Sequence, residues 1–197
     1  TSTNLFNGLF DGQNHKISNF KCYANNSLNQ IGLFGNATYT IQNLIIEDVF
    51  ISEQINTKQK SDFGSLLGCL TKTTSTPTIT NCHANNCKIL IYELNSNYEF
   101  HVGGLIGNVD NASINNCGIK NCIIDIYGGS YIGGLICWGN DNGGTITNSY
   151  SEVDITFQMA QTNFGCVLGG LCCNYFITNY CYSINTIKVT NLINGKV

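Results

Sequence analysis

The sequence predicts an all-β chain wound as a parallel β-helix, or β-solenoid, of about six coils. Three observations carry this. A short apolar tetrad recurs as Gly32-Leu33-Phe34-Gly35, Ser65-Leu66-Leu67-Gly68, Gly104-Leu105-Ile106-Gly107, Gly134-Leu135-Ile136-Cys137 and Gly170-Leu171-Cys172-Cys173, starting 33, 39, 30 and 36 residues apart. A second block, Ile-x-Asn, follows each tetrad in unchanging order, at Ile41-Gln42-Asn43, Ile79-Thr80-Asn81, Ile114-Asn115-Asn116, Ile146-Thr147-Asn148 and Ile177-Thr178-Asn179. The intervening residues are β-branched and aromatic, punctuated by Gly and Asn, with one Pro, at Pro77. A fixed period of this length marks stacked units, none of which can bury its apolar face alone.

Each repeat offers three short strands. One lies at the Gly-Leu block and one at Ile-x-Asn. The third is an alternating stretch such as Ile123-Ile124-Asp125-Ile126-Tyr127 or Val153-Asp154-Ile155-Thr156-Phe157. An antiparallel sandwich also has short strands, but has no reason to repeat one tetrad at one point. Two residues after an inward Ile, the Asn is expected to face inward too. Asn19, Asn43, Asn81, Asn116, Asn148 and Asn179 are thus expected to stack as a ladder of bonded side-chain amides.

The opening Phe6-Asn7-Gly8-Leu9-Phe10-Asp11-Gly12-Gln13-Asn14-His15-Lys16-Ile17-Ser18-Asn19-Phe20 and the tetrads together resemble GLUG-motif repeat proteins. Gly32 to Gly35 and Gly104 to Gly107 match the Gly-Leu-hydrophobic-Gly tetrad; Ser65, Cys137 and Cys173 depart from it at a glycine. The resemblance implies a right-handed parallel β-helix on secreted or surface-exposed proteins, often adhesins or passenger regions. It brings no catalytic residue with it.

The chain has 197 residues, 43% hydrophobic and 11% charged, with a net charge of −3. All nine basic residues are Lys. That balance argues against nucleic acid, which calls for basic patches and favours Arg. No apolar run approaches a membrane span. A single repeat domain over 1–197 is expected, as part of a longer or processed chain: it opens at Thr1 without Met, and Val189-Thr190-Asn191-Leu192 looks like a further repeat beginning.

Eleven cysteines admit two readings. One is a secreted protein with inter-coil disulfides, the favoured reading; the other is a ladder of reduced, buried Cys. Cys82 and Cys87 stand one and six residues past their Asn, and Cys117 and Cys122 repeat those offsets. Stacking would bring Cys82 to Cys117, Cys87 to Cys122, and Cys137 to Cys173, at strand spacings that a disulfide accepts. No metal site or cofactor is expected: His15, His83 and His101 are isolated, and the Cys spacing has no completing His. His15 reads as turn packing, and His83 should face outward if Cys82 faces inward.

The acids are scattered, so no paired carboxylates and no catalytic residues are assigned. Lys120 and Glu152 occupy equivalent offsets and read as a surface ion pair. Asp110 and Asp141 read as turn acids. Sequons at Asn25, Asn36 and Asn111 are glycosylation candidates if the source is eukaryotic, the last two in expected turns after tetrads. Tyr23, Tyr92, Tyr98, Tyr127, Tyr131 and Trp138 read mainly as strand packing, with a glycan- or protein-binding face as the alternative. The expected function is a structural module of an extracellular or cell-surface protein, in adhesion or filament assembly, with self-association or other subunits as partners. The alternative is a carbohydrate-binding or polysaccharide-acting β-helix protein.

Overall fold

The computed structural model describes residues 5–24, 29–55, 60–93, 100–128, 131–139, 144–159 and 167–191. Those residues form strands and turns with no helix, stacked as a β-solenoid of about five turns. A thirteen-stranded sheet carries two segments of every turn. A five-stranded sheet (Gln30–Ile31, Ser61–Phe63, Phe100–Gly103, Tyr131–Gly133, Val167–Gly169) and a four-stranded sheet (Phe34–Ala37, Leu67–Leu70, Ile106–Val109, Ile136–Gly139) complete it. Every pairing is parallel, turn upon turn. Among the described residues a sixth turn contributes long-sheet strands alone, including Phe176–Asn179 and Thr186–Asn191.

The core is a set of like-on-like columns. Ile41, Ile79, Ile114 and Ile146 are fully buried one above another, and so are Ile51, Ile89, Ile124 and Ile155 in a parallel column. Each buried Ile contributes about 1.5–3 kcal/mol over an exposed one. The Leu of the three middle tetrads (Leu66, Leu105, Leu135) is buried in the core at its turn, and Leu33 and Leu171 are partly buried against it.

The Gly-Leu block is a turn between two strands, so a repeat has four strands and not three. At Gly103 a Cβ would overlap the Ile106 carbonyl, and at Gly107 it would overlap the Phe63 backbone. Glycine therefore lets the two small sheets touch backbone to backbone. One rung on from Gly107 stands Cys137, then Cys173, and their thiols donate to Tyr131 O and Ile132 O, both at 2.9 Å. Ser65 replaces its glycine by donating to Gly104 O at 2.6 Å.

The asparagines do not face inward. Asn19, Asn43, Asn81, Asn116 and Asn148 all have φ between 50° and 61°. A residue in the left-handed region turns the chain and breaks the strand alternation, so the Asn side chain stays at the surface while its Ile goes in. Asn tolerates this conformation because its short amide can bond locally. Two corner columns result. The first runs through Asn43, Asn81, Asn116 and Asn148, with Gln13 and Asn14 at its start. The second runs through Asn19, Asp48, Asn86 and Asn121. Asn19 thus belongs to a different column from the other expected ladder members. Asn179 belongs to neither: it pairs with Thr147, and Tyr180 (φ 53°) takes the corner opposite Asn148. Within the first column Asn81 donates to Asn43 and Asn14, both at 3.0 Å, and Asn116 to Asn81 at 3.2 Å. Asn148 donates sideways to Asn115.

Candidate functional site

The two corners bracket a narrow strip. Between them lie residues 44–47, 82–85 and 117–120, joined by 149–152 in the turn where the second corner is absent and Tyr150–Met159 runs straight. Inward residues alternate with outward ones. Two outward columns follow from the register. One reads Lys16, Ile45, His83, Gly118, Tyr150, Tyr182; the other reads Ser18, Glu47, Asn85, Lys120, Glu152.

Gly118 shapes this strip. A Cβ there would overlap the Tyr150 ring, so the missing side chain lets Tyr150 lie across it toward His83. The His83 and Tyr150 rings stack with centroids 6.0 Å apart, and Tyr182 stacks on Tyr150 at 5.5 Å. Burial pushes the Tyr150 hydroxyl pKa up. Beside the rings a groove of about 440 Å³ is lined by Lys16, Ile45, Glu47, His83, Asn85, Lys120 and Tyr150, among others.

The groove's polar groups divide into satisfied and unsatisfied. Glu47 accepts from Lys16 Nζ at 2.7 Å and from Asn85 Nδ2 at 2.9 Å, and the Lys16 bond holds its carboxyl below its usual pKa. His83 Nδ1 is buried with no hydrogen-bond partner; burial, then the charge of Lys120, lowers its pKa, which favours the neutral ring. Lys120 forms no ion pair among the described residues. Its expected partner Glu152 is on the neighbouring rung, but accepts instead from Tyr182 Oη at 3.1 Å. The stacking of Tyr182 brings its hydroxyl to Glu152 and leaves Lys120 facing the groove.

A second polar cluster lies where the two small sheets meet. His101 Nδ1 and Asp62 Oδ1 are 2.8 Å apart, their side chains only 1% and 5% exposed. The His101 ring stacks on Trp138 at 5.1 Å and meets Tyr131 at 5.5 Å. Trp138 and Tyr131 are half-buried and also meet each other, with ring centroids 4.6 Å apart.

Cys82 and Cys117 stand side by side, as do Cys87 and Cys122, each pair within thiol hydrogen-bond reach; the Cys137 and Cys173 sulfurs are 3.9 Å apart. All ten described cysteines are free thiols. The corner explains their position. A thiol just after a left-handed residue reaches the carbonyl two residues back: Cys82 to Thr80 O, Cys87 to Asn85 O, Cys117 to Asn115 O and Cys122 to Lys120 O, at 3.0–3.4 Å. The Cys122 sulfur also accepts the Cys87 N–H at 3.0 Å. Ser149 does the same with a hydroxyl, donating to Thr147 O at 2.8 Å and accepting from Cys117 N–H at 3.1 Å.

The remaining sequence candidates stand apart from the groove. Asn111 lies at a left-handed turn (φ 46°). Asn36 is in the strand Phe34–Ala37 and not in a turn; its Oδ1 accepts from Thr71, and its sequon Thr38 is buried. Asn25, Asp141 and Tyr98 lie outside the described residues. His15 is exposed on a strand and not packed in a turn. Tyr150, Tyr182 and Lys16 were not singled out from sequence. Their shared offset appears only when repeats are aligned on the corner, not on Ile-x-Asn.

No family model matches the chain, and no curated protein matches it. Among solved structures it is similar in fold to a Bacteroides ovatus protein named "putative immunoglobulin A1 protease", at 17% identity and a TM-score of 0.57. The match covers 90% of this chain and 61% of that one, so the chain spans about three-fifths of its neighbour's length. At this identity the likeness is one of fold.

Proposed function

We propose that the chain is the β-solenoid module of a secreted or cell-surface protein, working in adhesion by presenting the groove strip to a glycan. The observation that carries this is the stacked row His83, Tyr150 and Tyr182, on a sheet face whose other outward groups include Lys16, Glu47, Asn85 and Lys120. Rings beside a few aimed polar groups are what carbohydrate recognition uses. The GLUG-like tetrads and the fold of the neighbour agree with an extracellular setting. The enzymatic alternative draws support from the neighbour's name; the described residues lining the groove include one acid, Glu47. A glycan panel probed with the chain and with Tyr150→Ala tests the reading: the chain binds and the variant does not. A chain that binds no glycan, or a variant that binds equally, sinks it.

Assembly is a second reading, favoured by the last turn. Ile177, Tyr180 and Ile184 are 66%, 90% and 69% exposed there. Unpaired strand edges and bare apolar side chains are covered either by further coils of the same chain or by another chain. Sedimentation velocity over a concentration series should show association that Ile184→Lys weakens; a monomer throughout overturns this reading.

A further inference from the structure

We infer that the groove takes an acidic sugar residue, its carboxylate on Lys120 and its hydroxyls on Asn85, Glu47 and His83. The inference rests on the adhesion reading and names the ligand class for the same strip.

Lys16 and Glu47 neutralise each other at 2.7 Å, whereas Lys120 is left without an ion-pair partner among the described residues. Glu152, the nearest acid by register, is engaged by Tyr182. Lys120 therefore lines the groove with no acid in direct contact, Glu47 acting on it only at longer range. An anion satisfies it, and an ammonium with a carboxylate makes a charge-assisted bond of about twice the strength of a neutral one.

The groove also holds an unsatisfied nitrogen. His83 Nδ1 is buried and without a partner, which costs free energy until something fills it. A neutral ring nitrogen pairs with a sugar hydroxyl, which can donate or accept. The groove also has an apolar floor: Tyr150 covers one face of His83, Ile45 stands on the rung at its other face, and all three side chains line the groove. Sugar C–H groups fit such a surface, and about 440 Å³ lies in the range of small-ligand sites.

The test is calorimetric titration of the chain with galacturonic acid trisaccharide and with the matching neutral galactotriose. The acidic sugar should bind about tenfold more tightly, and Lys120→Gln should remove that difference. Lys188→Gln, a lysine remote from the groove, should leave it intact, and unchanged thermal melting should show that both variants fold. Raising salt should weaken the acidic sugar's binding to the native chain and not to Lys120→Gln. Equal affinity for the two sugars, or an acid preference that survives Lys120→Gln, overturns the inference and leaves the adhesion reading standing. Binding of neither sugar, with a blank glycan panel, overturns both.

Discussion

Tyr150 lies across Gly118, occupying the space that a side chain at position 118 would need. Glycine in a strand usually weakens it, and here it marks a close approach. Gly118→Ala should push the Tyr150 ring aside, not displace backbone. We expect about 1 kcal/mol or less of destabilisation by denaturant unfolding. We also expect loss of the ring stack, read as a change in the His83 proton shifts, together with weaker glycan binding. Unchanged shifts would show that the ring does not depend on the missing side chain.

The corners predict a contrast between two substitutions at one position. Asn116 has φ 50° and donates to Asn81 at 3.2 Å. Asn116→Gly keeps the backbone freedom and loses the bond, so it should cost less than about 1 kcal/mol. Asn116→Ala loses both and should cost about 1–2 kcal/mol more than the glycine variant. Urea midpoints at unchanged slope would measure this, and equal midpoints would contradict the role given to the left-handed corner.

The thiols after the corners predict tolerance of serine. Ser149 already makes the bonds that Cys117 makes one turn earlier. Cys117→Ser should therefore stay within about 1 kcal/mol of the parent, and Cys117→Ala should cost about 1–3 kcal/mol through the unsatisfied backbone groups. A serine variant as damaged as alanine would point to a covalent bridge in place of a hydrogen-bonding thiol.

Burial also sets how these thiols titrate. It pushes Cys69 up to about 12 and Cys172 up to about 11, from an ordinary 9.0. A thiol whose folded pKa is raised binds its proton longer in the folded state. Its contribution to stability is complete below about pH 9 and declines as pH rises toward 11–12. Stability should therefore fall on the alkaline side, and at pH 8 Cys69 and Cys172 should label with a thiol reagent far more slowly than a free peptide thiol. Prompt labelling of the folded chain would contradict this.

The buried pair Asp62 and His101 supports the joint between the small sheets. Asp62→Ala should cost about 2–4 kcal/mol, because it strands His101 Nδ1 in a dry cluster against Trp138. Tryptophan fluorescence during unfolding would report it; a shift below about 0.5 kcal/mol would place the pair in water.

By itself the sequence determined the winding. The tetrads and the Ile-x-Asn blocks recur in one order, and a column such as Ile41, Ile79, Ile114 and Ile146 follows, because stacked units must bury equivalent residues together. The Cys82 and Cys117 juxtaposition was legible for the same reason. Only the tertiary structure decided the lateral neighbours. A left-handed residue changes which side chains face out, and motif spacing does not reveal which residue adopts it: Asn179 fits the motif, yet Tyr180 turns the corner. That one-residue slip carries Tyr182 onto the rung of Tyr150 and its hydroxyl onto Glu152, beside Lys120, which lines the groove with no ion pair among the described residues.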